Sequence, residues 1–149
     1  MDLLAAETAI IERLKTQIVS GLSSNLSAPR VDSFPQDPRQ HFENLSPTGE
    51  ILVRFNDALG SDPDPNRNSV IVQNFIPNWS IWIVMPNLVT HTGIYNWIEK
   101  VKDALTGWTI TGWDDSTPLY CNNIGFIDEK GGNWFYEMNF TCETEESEI

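Results

Sequence analysis

In SVIVQNFIPNWSIWIVMP, residues 69–86, β-branched and aromatic residues crowd together as they do on a pleated, half-buried surface. Strand alternation places Trp79 and Trp82 on opposite faces, so both sides of the sheet to which this stretch belongs must be accounted for. Pro77-Asn78 interrupts the run, since proline removes a ladder donor. The stretch therefore reads as two strands, 69–76 and 79–86, or as one long strand with a kink.

On its N-terminal side, ILVRFND (51–57) alternates as a strand, with Ile51, Val53 and Phe55 turned one way and Leu52, Arg54 and Asn56 the other. Between Asn25 and Gly49 four prolines make a long connection, with room for a short extended piece around Val31 to Phe34. Ahead of it, Leu3, Ile10, Ile11, Leu14, Ile18 and Leu22 recur at helical spacing, predicting a helix over about residues 2–22.

On its C-terminal side, Ile94, Trp97, Ile98, Val101 and Leu105 predict a second helix, with Thr90 or Thr92 available to cap its start and Gly107 its end. TPLYCNNIGFID and NWFYEMNFTCET then flank Glu129-Lys130-Gly131-Gly132 and read as a terminal hairpin. In its last strand Trp134, Tyr136, Met138, Phe140 and Cys142 share the core face, while Phe135, Glu137, Asn139 and Thr141 share the other. The acidic residues of 143–149 read as a tail that frays. The whole is a single α+β domain over 1–149: a mainly antiparallel sheet of about five strands with two helices packed on one face.

Nine Lys plus Arg against twenty-one Asp plus Glu leave a net charge of −12, which repels a phosphate backbone and disfavours a sequence-reading nucleic-acid binder. No window approaches the length of a membrane span, and MDLLAAETAI lacks the basic flank of a secretion signal, so a cytoplasmic site of synthesis is expected. Cys121 and Cys142 have no C-x-x-C spacing and read as reduced strand cysteines.

Asp62, Asp64, Asn66 and Asn68 have the alternate spacing of a calcium loop, but Arg67 and Gln73 occupy the positions that need glycine and a bidentate Glu. The segment reads as a loop tip. His41 and His91 have no nucleophile motif around a Ser or Cys partner, and Asp114-Asp115 reads as a solvated turn before it reads as a paired-carboxylate site. Neither a catalytic residue, a metal nor a cofactor is expected. Six tryptophans on a sheet covered by two helices argue instead for association, with Asp62, Asp64, Arg67, Trp79, Trp82, Phe135, Glu137 and Asn139 as candidate interface residues.

The order AAETAIIERLKTQI, ILVRFNDALG, IWIVMPNL, HTGIYNWIEKVKDALTGW and WFYEMNFTC resembles the tail-terminator proteins of contractile-tailed, Mu-like phages over nearly the whole chain, least so at 25–49. That resemblance implies a virion protein, assembled in the host cytoplasm, which forms a ring, usually a hexamer, on the head-proximal end of the tail tube. The ring stops tube growth, meets the head connector and, in contractile tails, the last sheath ring. DNA would pass through its lumen without sequence-specific binding. The resemblance also admits another head-tail connector component, and the residues themselves admit an aromatic-rich ligand-binding domain or a hydrolase using Asp114 and Asp115.

Overall fold

A computed structural model of the chain describes residues 1–19, 28–61, 71–88 and 90–148. Helix α1 (Leu3–Leu14) starts at Asp2, whose side chain accepts from the Ala5 amide at 3.0 Å, and it continues as one π-helical turn over Lys15–Val19. It buries Ala6, Ile10, Ile11 and Leu14, the face its apolar periodicity predicts. Strand β1 (Arg30–Ser33) and the short helix α2 (Pro38–Glu43) lie within the proline-rich connection. Asp37 caps α2 by accepting from the Gln40 amide, and Pro38 occupies the first turn, where its missing donor costs nothing.

Strands β2 (Glu50–Gly60) and β3 (Ile71–Pro86) follow, then a 3-10 turn over His91–Ile94 and helix α3 (Tyr95–Leu105). The Thr90 and Thr92 hydroxyls bond each other at 2.8 Å instead of capping α3, whose N-cap position is Ile94. Gly107 takes φ 82°, the left-handed conformation expected after a helix end, and its amide donates to Leu119 O. Strands β4 (Tyr120–Lys130), β5 (Asn133–Thr141) and β6 (Thr144–Glu148) complete the chain.

The sheet order is β1-β2-β3-β5-β4, with β6 also on β3; all pairs are antiparallel except β1 with β2. β3 is the spine, and it runs through Pro77 as one strand. Pairing with β5 stops at Asn78–Thr141 and pairing with β6 starts at Phe75–Thr144, so Pro77 sits where the ladder on that side changes partner. The Thr141 hydroxyl closes the gap by donating to Pro77 O at 2.8 Å.

The α+β class and the mainly antiparallel sheet are as expected, and one expectation is corrected. The acidic end is no free tail: residues 144–148 form β6, held by Phe75 to Ile71. The sheet accordingly has six strands. α1 and α3 cover one face, where Ile51, Val53, Trp79, Ile81, Ile83, Met85, Met138 and Phe140 form the core. Arg13 ties the two helices together, donating to Ala104 O at 3.0 Å with its guanidinium over Trp108. The opposite face carries a cover of its own, built from the connection.

Candidate functional site

Register arranges the outer face as cross-strand rows. Glu50, Val84 and Phe135 stand side by side on β2, β3 and β5; the next row is Leu52, Trp82 and Glu137; the third is Arg54, Ser80 and Asn139. Trp82, Ser80, Asn139 and Glu137 in these rows bond one another, while the buried Nε of Arg54 has no hydrogen-bond partner among the described residues. The Trp82 indole donates to Glu137 at 2.9 Å, the Ser80 hydroxyl to Asn139 at 3.2 Å, and the Asn139 amide to the other Glu137 oxygen at 3.4 Å. Arg54 places its guanidinium 5.0 Å from the Phe34 ring centre.

Phe34, just after β1, and Phe42 of α2 lie on this face. Phe42 stacks parallel to Trp82 at 6.1 Å and meets Phe135 edge-on at 5.2 Å, while Phe34 meets Trp82 edge-on at 5.0 Å. His41 of the same helix pairs through Nε2 with Glu50, whose side chain is only 1% exposed. The connection is therefore pinned at one point by the His41–Glu50 hydrogen bond and elsewhere by rings. α2 itself contains no buried residue, so it covers the aromatic row without closing it off.

Beside α2 an open groove of about 550 Å³ remains, lined by Phe42, Trp82, Phe135 and Ile127, with Arg39 and Lys130 among the charged groups at its rim. Ile127 enters it because β4 slips register between Phe126 and Asp128, which turns an extra residue onto this side. β4 is an edge strand, and Tyr120, Ile124, Phe126 and Ile127 on it are all exposed. Across the sheet on the helix side, Phe126, Trp134, Tyr136, Tyr95 and His91 form a second chain of ring contacts at 5.5–6.5 Å. Burial first, and the Tyr95 phenol second, push the Tyr136 phenol above its ordinary value.

At the far end of the sheet, β2 and β3 run on beyond their pairings with β1 and β5 as an arm, bordered along β3 by β6. Leu59 and Ile76 are direct ladder partners there, 72% and 37% exposed, at the register positions of the outer face. Asp57, two pairs nearer the core, is exposed as well.

The expected interface residues divide. Trp82, Phe135, Glu137 and Asn139 come together on the outer face, with Phe135 largely covered by Phe42. Trp79 belongs to the core instead: it is wholly buried against Phe55 and Trp113 and has no surface to offer a partner. Asp62, Asp64 and Arg67 lie outside the described residues. The groove residues Arg39, Ile127 and Lys130 and the arm pair Leu59–Ile76 were not anticipated. A bulge leaves no mark in simple alternation, and Leu59 lies past the strand read over 51–57, which in the structure runs on to Gly60.

Asp114 and Asp115 are exposed and line a separate open cleft with Asp2, Glu145 and Glu146. Among the described residues no group of three His, Cys, Asp or Glu side chains is arranged to hold a metal ion, and no helix is long and apolar enough to cross a membrane. Burial pushes both thiols up, Cys142 more deeply enclosed than Cys121, which fits inert cysteines better than nucleophiles.

A family model described as Gp37 protein matches residues 18–148. Among solved structures, a chain in the virion of a native gene transfer agent (GTA) particle is similar in fold: TM-score 0.53 at 15% identity, covering 94% of this chain and 94% of that one. No curated protein matches the sequence.

Proposed function

The chain belongs to the Gp37 protein family, and from that premise we propose that it is a structural protein of a phage-type virion: a tail terminator. In this role its subunits close into a ring, a hexamer by resemblance, on the head-proximal end of the tail tube. The ring blocks further tube subunits and offers its other side to the head connector, and in a contractile tail its rim meets the last sheath ring. No covalent bond is made or broken.

The observation that carries this reading is the fold likeness along 94% of both chains to a component of a GTA virion. The surface agrees with the role. Apolar groups stand exposed on the edge strand β4 and on the arm, at opposite borders of one sheet, as a head-to-tail contact between copies requires. A wall of net charge −12 per subunit would repel DNA and let it slide through a lumen without retention.

The deciding experiment assembles tubes from the tail-tube protein of the same virus, with and without this chain, and images their ends. Rings at one end and tubes of limited length are expected; unlimited tubes with bare ends in both preparations would sink the reading. A ring found instead between connector and portal would move the protein to a neighbouring place in the same junction.

The groove at Trp82 favours one further reading, a domain that stacks a small apolar or planar ligand against Phe42 and Trp82. Quenching of tryptophan fluorescence by such ligands, abolished in Trp82→Ala, would support it.

A further inference from the structure

Two features of the outer face are complementary in shape and cannot satisfy each other within one chain. One is a projection, the Leu59–Ile76 pair on the arm, with the Asp57 carboxylate beside it. The other is a recess, the groove with Phe42, Trp82, Phe135 and Ile127 for walls and Arg39 and Lys130 at its rim. Ile76 stands eight residues along β3 from Val84, the ladder partner of the groove residue Phe135, a separation of roughly 26 Å at about 3.3 Å per residue. The arm of one molecule therefore cannot fill that molecule's own groove.

We infer that Leu59 and Ile76 of one copy insert into the Trp82–Phe135–Ile127 groove of the next, forming the head-to-tail contact of the assembly. The occupant is a second copy because apolar surface and charge both match. Branched aliphatic side chains face aromatic walls and an aliphatic floor, and Asp57 arrives at a rim with two of the chain's nine cations, neither of which forms an ion pair among the described residues. The rim also carries Glu43 and Asp128, so the pairing is selective for an approach that brings Asp57 to Arg39 or Lys130. Because knob and groove are different patches at opposite ends of one face, repetition of the contact runs head to tail and closes only if its rotation allows. It rests on the ring reading for its closure, but not for its existence.

Disulfide trapping tests it. In a Cys121→Ser background, chains carrying Leu59→Cys and chains carrying Ile127→Cys are mixed and oxidised at high concentration, alone and in the presence of tail tubes. A heterodimeric disulfide between the two variants is expected, at least about tenfold over homodimers of either. Its absence under both conditions overturns the inference. Leu59→Asp and Ile127→Asp, both at exposed positions and checked for an unchanged melting curve, should each reduce assembly on tubes about tenfold. Asp57→Lys and Lys130→Asp should each weaken it, and their combination should restore it. Rings that persist in both aspartate variants overturn the contact while leaving the terminator reading standing. A specific cross-link that gives open chains and never rings retains the contact and overturns the ring.

Discussion

Gly49 shows how much one residue decides. Its φ of 87° is left-handed, and a β-carbon there would stand 2.4 Å from Met85 Sδ and 2.8 Å from Val84 O. The sulfur can move, but the carbonyl belongs to the spine strand and cannot. Gly49→Ala should therefore lower stability by about 2 kcal/mol, read as a shifted urea midpoint with an unchanged slope. Next to it, His41 bonds through Nε2 to the Glu50 carboxyl group, which water barely reaches. Removing the imidazole in His41→Ala leaves that buried group without its partner and should cost about 3 kcal/mol, whereas Glu50→Gln paired with His41→Ala should recover much of it. A double-mutant cycle in urea measures the difference. Cys142 gives a pH dependence. Burial raises its thiol above the ordinary value near 9, against a smaller opposing contact from Ser116. The folded chain thus holds a proton that the unfolded chain gives up, so this contribution is complete below pH 9 and is lost as pH rises beyond it. Urea titrations at pH 7 and pH 10 should show a smaller alkaline loss for Cys142→Ala than for the unaltered chain.

At the scale of elements, β3 and its partners account for most of what alternation predicted and for what it missed. The faces assigned to 51–55 and to 134–142 stand as read, because one side of each strand had to reach the core under α1 and α3, while a register shift at Asn56 breaks the alternation before Asp57. Pro77 was legible as an interruption, but its effect was not. It interrupts the partner, at the junction of β5 and β6, and leaves its own strand intact. For β6 composition misled: Thr144 to Glu148 is too acidic to look like a strand, yet a short edge strand needs backbone donors and acceptors more than apolar side chains, and charge protects its free side. Deleting residues 144–149 should accordingly destabilise the domain by about 3 kcal/mol, not leave it unchanged as loss of a free tail would. Denaturant melts of the truncated chain decide between them. The last hairpin is tighter than its four-residue sequence signal: Lys130 and Asn133 are paired, so Gly131 and Gly132 at φ 61° and 84° make a two-residue turn.

For the whole molecule, the question is which surfaces are left for other chains. Two of the rings expected to meet a partner, Trp82 and Phe135, stand on the outer face, Phe135 buried there. The proline-rich connection then takes part of that surface for the chain itself through Phe34 and Phe42. What remains apolar and exposed is concentrated on β4 and on the arm. Net charge sets the terms for any association. At −12 per chain, copies repel at low salt, so self-association should strengthen when salt rises from about 0.05 to about 0.5 M, as the Debye length shrinks to a few ångströms. Duplex DNA should show no binding at about 0.15 M salt by fluorescence anisotropy, whereas a basic nucleic-acid binder would saturate and then weaken with salt.

Reading the residues alone reaches the α+β class, the two amphipathic helices, the faces of the principal strands and a net charge that repels a phosphate backbone. Each follows from local periodicity or from summed charge, which need no knowledge of distant residues. It takes the folded chain to show that Trp79 is core, that the acidic end is a strand, that the connection folds back over Trp82, and that the Leu59–Ile76 pair and the groove stand at opposite ends of one face. Those depend on register, bulges and the meeting of segments far apart in the chain, where the free energy lies in pairs of residues and not in any residue alone.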